Sequence, residues 1–143
     1  MPIPAADEIN VYNTLDERSA CEHFLGKNLE EAELLFRENS PYYQEDLMWM
    51  GPAAFRYYVE AAIRYIQSDN AENDSEMIDS FAGILEFRLR NESNELLPVA
   101  ERLAIACTYV LESWNRFDIS SAIYGDLSSR YTALQQTLSQ MNL

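Results

Sequence analysis

With 143 residues, 48% of them hydrophobic, the chain has the size of one ordinary domain and enough apolar side chains to bury a core, about 70% of the surface its unfolded form would expose. Ten basic residues against 24 acidic ones give a net charge of -14, a field that repels nucleic-acid phosphates and anionic lipid and attracts basic partners. Neither nucleic acid nor membrane is therefore an expected ligand, and the acidity is uneven, since the first 50 residues hold 11 acids and only three bases (Arg18, Lys27 and Arg37).

The opening "MPIPAADEINVY" has no basic segment followed by an apolar run, and no apolar stretch is long enough to span a bilayer, so the expected location is the cytoplasm. Residues 1–13 read as an extended lead. A capping box, Thr14 with Glu17 three residues on, then starts a short helix with Ala20, Cys21, Phe24 and Leu25 on one face, ending near Gly26. Asn28 caps a second helix, with Glu30 and Glu31 in its positive-dipole first turn and Leu29, Ala32, Leu35 and Phe36 at helical spacing.

Ser40 as cap and Pro41 at the first helical position open a third helix, whose stripe is Tyr43, Leu47 and Met50. Gly51-Pro52 ends it and begins another. From Pro52 to Gln67 the apolar residues Phe55, Tyr58, Val59, Ala62, Ile63 and Ile66 follow helical spacing without a miss, with Arg56, Glu60 and Arg64 as the opposite polar stripe.

"SDNAENDSE" is a polar break, after which Asp74 or Ser75 caps a helix with the stripe Ile78, Phe81, Ala82, Leu85 and Leu89. Gly83 within it costs helix propensity against alanine, which suggests a second helix approaching closely there. Pro98 opens a long helix reaching about Phe117, with Ala100, Leu103, Ala104, Cys107, Val110, Leu111 and Trp114 on one side. The interruption "DISSAIYG" precedes a last helix with a narrow stripe of Leu127, Tyr131, Leu134, Leu138 and Met141. With no alternating strand pattern and no internal repeat, the expected fold is all-α, an irregular single-domain bundle of five or six helices.

Most site chemistries lack their residues. A di-iron bundle needs paired Glu-x-x-His motifs, and the single histidine, His23, has Ala20 at the required offset. Cys21, His23 and Cys107 are too few for structural zinc, and the two cysteines read as free, buried, apolar thiols. His23 itself reads as a solvated or capping side chain, since Cys21 points away from it. The acidic loop from Asp69 to Ser80 lacks the glycine and the closing glutamate of a calcium loop, and the four single glycines form no phosphate loop. No cofactor and no metal is expected.

Seven of the 17 aromatic residues (Tyr42, Tyr43, Trp49, Phe55, Tyr57, Tyr58 and Tyr65) crowd into "EDLMWMGPAAFRYYVEAAIRYI" and the residues just before it. Helical spacing assigns most of them to a core, with Trp49, Tyr57 and Tyr65 left as candidates to rim a groove. Together with "DSFAGILEFRL", the segment resembles an uncharacterised family of small acidic helical bacterial proteins that share a Gly-Pro-x-Ala-Phe-Arg-Tyr-Tyr helix, over about residues 28–90. The resemblance implies a helical fold and brings no catalytic residue.

The expected function is a non-catalytic protein-interaction module, most concretely a bacterial immunity protein or inhibitor that meets a basic toxin or enzyme through an acidic surface. The candidate partner-binding residues are Glu30, Glu31, Glu33, Glu45 and Asp46, with Trp49 as an aromatic anchor. The alternative is a small-ligand protein or enzyme with a carboxylate and tyrosine pocket beside the aromatic helix. A third reading is a homodimer formed through the 127–141 stripe.

Overall fold

The computed structural model describes residues 1–141, in which every regular element is helical. In chain order these are α1 (Ala6–Ile9), α2 (Leu15–Phe24), α3 (Leu29–Trp49), α4 (Pro52–Gln67), α5 (Ser75–Glu92), α6 (Ala100–Glu112), α7 (Ser121–Tyr124) and α8 (Leu127–Gln140). The all-α expectation holds, with α1 and α7 only single turns. None of the described helices is long and apolar enough to cross a membrane. The chain divides into two compact units, Met1–Ile66 and Gln67–Leu143.

In the first unit the helix starts follow the capping chemistry of the sequence. Thr14 Oγ1 accepts from the Glu17 N–H at 3.1 Å and Asn28 Oδ1 from the Glu31 N–H at 2.9 Å. Each glutamate answers by accepting from its cap's own N–H, at 3.2 and 3.0 Å. Glu17 goes further, because its buried carboxylate also accepts from the N–H groups of Val11 at 2.9 Å and Tyr12 at 3.1 Å, which folds the preceding turn onto α2. Burial alone would raise this carboxyl, but the N–H groups of Val11 and Thr14, the Thr14 hydroxyl and the Tyr12 N–H outweigh it and hold it below its ordinary value.

Two boundaries differ from the sequence reading. The 1–13 lead is not wholly extended, because α1 lies within it and buries Ile9, whose carbonyl accepts from the Gly51 N–H at 2.9 Å. The two helices expected on either side of residue 40 are present within the α3 span, separated at the non-helical Asn39 (φ -160, ψ 80), so the boundary falls one residue before Ser40. The cap of the second half is Asn39, whose side chain accepts from the Tyr42 N–H at 3.4 Å, while Ser40 is turned into the buried side. Pro41 remains within the first turn, where no N–H is required.

The two glycines exchange roles. A Cβ on Gly51 would stand 2.1 Å from the Glu8 carbonyl oxygen and 2.7 Å from Val11 Cγ2, so a side chain there would push α1 off the α3–α4 corner. Gly83, expected to admit a close helix, has nothing within 4 Å of where its Cβ would be. The close approach is made at Gly51 by backbone, a contact that no helical periodicity announces.

The aromatic segment forms the core of this unit. Phe24 of α2 lies 6.0 Å from Phe36 of α3 and 4.9 Å from Tyr58 of α4, and Phe36 continues to Tyr65 at 6.3 Å. The Tyr58 hydroxyl shares its proton between the carbonyls of Phe24 and Lys27, both at 2.8 Å, closing the C-terminal end of α2. Burial pushes that phenol up to about 12. Tyr57 and Tyr65 are buried as well, so neither rims a groove; Trp49 stays exposed.

In the second unit α8 packs on α6 and α5. The stripe Leu127, Tyr131, Leu134 and Leu138 is buried, which makes it a core face of this unit and removes it as a free surface for self-association. Tyr131 repeats the device of Tyr58, donating its hydroxyl to the Ile78 carbonyl of α5 at 2.6 Å. Arg130 beside it grips Glu86 with two bonds, at 3.0 and 2.6 Å, and reaches Asp79 at 3.3 Å. The helix expected to run to Phe117 stops at Glu112, and Trp114–Phe117 is a tighter turn anchored by the Arg116 guanidinium on the Ser68 carbonyl at 2.7 Å. Pro98 likewise sits in a tight helical segment, Ser93–Val99, ahead of α6. Asp74 caps α5 through the Met77 N–H. Both cysteines are free; Cys107 is buried, with its thiol pushed up to about 12, and Cys21 is only half-buried.

The glycine assignment predicts opposite effects of one substitution. Gly83→Ala should raise unfolding free energy by about 1 kcal/mol, and Gly51→Ala should lower it by about 1–3 kcal/mol through overpacking against Glu8 and Val11, both read from urea melts. Glu17→Gln should cost about 1–3 kcal/mol at neutral pH by leaving N–H groups unmet. Because the native Glu17 carboxyl lies below 4.5, its contribution is present above that value and fades as pH falls through the native one. The glutamine variant's stability curve should accordingly be flatter at acid pH than the wild type's.

Candidate functional site

Two helix faces of the first unit meet at a small cleft. From α2, Asp16, Ser19 and His23 are spaced i, i+3, i+7, and from the second half of α3, Tyr42, Glu45, Asp46 and Trp49 are spaced i, i+3, i+4, i+7. Each set therefore lies along one side of its helix. The cleft between them has a volume of about 90 Å³.

His23 is fixed at both ring nitrogens. Nδ1 lies 2.7 Å from Asp46 Oδ2 and Nε2 lies 3.1 Å from the Tyr42 hydroxyl. The Tyr42 ring sits 5.1 Å from the imidazole and the Tyr43 ring 5.2 Å away edge-on, so the imidazole is held among aromatic rings as well. An ionised carboxylate can only accept, which places a proton on Nδ1; in the neutral ring Nε2 then accepts the Tyr42 proton. His23 is thus a positioned, half-buried group and not the solvated or capping residue expected from the sequence.

Asp46 is buried, and burial raises its carboxyl above the ordinary aspartate value. The hydrogen bond and charge of His23 oppose that rise, and the neighbouring charges of Glu45 and Asp16 add to it. Ser19 lies in the same cleft, but no hydrogen bond joins its hydroxyl to His23, whose Nε2 faces Tyr42 instead. The three residues do not form a nucleophile relay. Among the described residues no group of histidine, cysteine and carboxylate side chains is placed to hold a metal ion.

Of the residues singled out from the sequence, Glu45, Asp46 and Trp49 come together here, and Glu30, Glu31 and Glu33 do not. Glu31 is engaged in the α3 capping box and Glu33 pairs with Arg37 at 2.6 Å, while Glu30 is exposed on the first turn of α3. Asp16 and Ser19 were not singled out, Tyr42 counted only among the crowded aromatic residues, and His23 was read as a solvated or capping side chain. Their signal was a second, polar periodicity on two helices joined by a short connection, hidden beside the stronger apolar one.

Larger clefts of about 370 Å³, between α6 and α8, and about 580 Å³, beside Trp114, lie in the second unit. Each contains one titratable side chain, Glu101 in the first and Asp126 in the second, and Asp126 is already engaged by Ser128 and Ser129. The cluster with chemistry is the smaller one. No protein-family model, curated protein sequence or solved structure matches the chain.

The histidine contact has a measurable consequence. In His23→Ala the Asp46 carboxyl should titrate higher than in the wild type, read from its ¹³C resonance. With a native value above the ordinary one, this group's contribution to stability is present at low pH and is lost as pH rises through the native value. Removing His23 should extend that loss to higher pH in urea melts between about pH 4 and 6. An unchanged titration would show that His23 does not set the carboxylate's state.

Proposed function

We propose that the protein is a non-catalytic interaction module that binds a basic protein partner through the acidic and aromatic face of its first unit, as an inhibitor or a bacterial immunity protein binds a cationic toxin or enzyme. The observation that carries this reading is the exposure of Trp49 at 37% and Tyr42 at 53% beside Asp16, Glu45 and Asp46, whereas Tyr57, Tyr58 and Tyr65 are buried. Exposed tryptophan and tyrosine anchor protein interfaces, and acids around them select a basic surface and speed its arrival. A cleft of about 90 Å³ is far below the roughly 300–1,000 Å³ of small-ligand sites, which weighs against an enclosed substrate.

Capture from an extract of the protein's own cells at low salt should yield a basic protein. With the purified partner, the association rate should fall at least about tenfold from low to high salt. Glu45→Lys should slow association, and Trp49→Ala should mainly speed dissociation. The proposal fails if no basic partner binds at low salt, or if binding ignores both salt and these substitutions.

A further inference from the structure

We propose that Tyr42 is an acyl-acceptor site: its phenol, with His23 as general base and Asp46 orienting that base, takes the acyl group of an uncharged activated ester in a stoichiometric self-acylation. The three side chains stand in series. Asp46 Oδ2 lies 2.7 Å from His23 Nδ1, and His23 Nε2 lies 3.1 Å from the Tyr42 hydroxyl. A hydroxyl within hydrogen-bond reach of a base, which a carboxylate orients from the far side of its ring, is the arrangement that activates a weak nucleophile. Asp46 is buried and the His23 side chain is 17% exposed, whereas Tyr42 is 53% exposed, so the base and its orienting group are fixed and the phenol is the member open to solvent. Other tyrosines lack such a base. Tyr58 and Tyr131 give their protons to main-chain carbonyls, and the Tyr109 oxygen accepts from the Arg116 guanidinium.

The step balances without a further reactant. The Tyr42 oxygen adds to the acyl carbon as His23 Nε2 takes its proton, and Asp46 stabilises the imidazolium so formed. The bond from the acyl carbon to the leaving group then breaks, the imidazolium returns the proton to that leaving group, and an aryl ester remains on Tyr42. The cleft selects the donor by charge. Asp16, Glu45 and Asp46 line it and repel phosphate, which disfavours phosphoryl and nucleotidyl donors and leaves an uncharged acyl donor. The volume of about 90 Å³ has room for a short acyl group and not for a long chain. This site stands independently of the interaction reading above.

The test treats the full chain with p-nitrophenyl acetate and follows acetylation of each tyrosine by peptide mass mapping. Tyr12, 83% exposed, is the internal standard. Tyr42 should be acetylated at least about tenfold faster than Tyr12 despite its lower exposure. The Tyr42 rate should rise with pH in step with deprotonation of the His23 ring, followed by its NMR shifts, and level off once the ring is neutral; the Tyr12 rate should keep rising, as for any free phenol. That profile is read on the wild type, so it decides the matter even where a variant fails to fold. His23→Gln should bring the Tyr42 rate down to that of Tyr12, and Asp46→Asn should lower it severalfold. With acetyl phosphate, an anionic donor, the advantage of Tyr42 over Tyr12 should shrink. Tyr42 reacting no faster than Tyr12, a pH profile that ignores the His23 ring, or an undiminished rate in a folded His23→Gln would overturn the proposal. An equal advantage with acetyl phosphate would overturn the selection of an uncharged donor.

Discussion

A carboxylate taken out of water must find donors for both its oxygens, and the first unit meets that constraint in two unequal ways. Glu17 meets it completely. Its two oxygens gather the N–H groups of Val11, Tyr12 and Thr14, so that one side chain caps α2, sets the turn before it and ties α1 to the rest. Asp46, buried to a similar degree, meets the constraint at one oxygen through His23. The two carboxyls are displaced in opposite directions, Asp46 up because burial outweighs its His23 contact and Glu17 down because its N–H and hydroxyl donors outweigh burial. The first is held by a set of backbone donors; the second rests on the single imidazole of His23.

The tyrosines divide along the same line. Tyr58 and Tyr131 place their hydroxyls on main-chain carbonyls of a neighbouring helix, which lets a large aromatic surface enter the core without stranding a polar atom. Tyr42 instead directs its hydroxyl to His23 and leaves half of its surface in water. A crowd of aromatic residues in the sequence is therefore two populations. One fills space between helices, and the other holds an imidazole at an exposed cleft.

Much of this was legible in the sequence wherever one residue's chemistry decides the outcome. The Thr14 and Asn28 boxes, the cap at Asp74 and the inward face of α4 follow from local hydrogen bonding and apolar spacing. What was not legible depended on contacts between segments distant in sequence. Gly83 lies in a helix and looks like a packing notch, but the approach of another backbone occurs at Gly51, which reads as mere punctuation before Pro52. The cap moved from Ser40 to Asn39 because either side chain can cap and only tertiary burial of Ser40 decides between them. Glu45, Asp46 and Trp49 were found from composition and aromatic density. His23 was set aside because its partners are on another helix, and a single helix wheel cannot reveal a pair that bridges two.

The two units carry the same inventory of charge, five bases and 12 acids each, so what distinguishes the cleft is local. In the second unit Arg130 is matched to Glu86 and Asp79, and Arg88 to Glu92. In the first unit Arg37 is engaged by Glu33 and Arg64 by Glu60. Asp16 and Glu45 have no basic partner among the described residues, and both raise the Asp46 carboxyl they adjoin. Selection for stability alone would favour a lysine or arginine at such a place, since like charges around a buried carboxylate repel. Acids gathered there, with Trp49 37% exposed beside them, are what support the proposed docking of a basic partner.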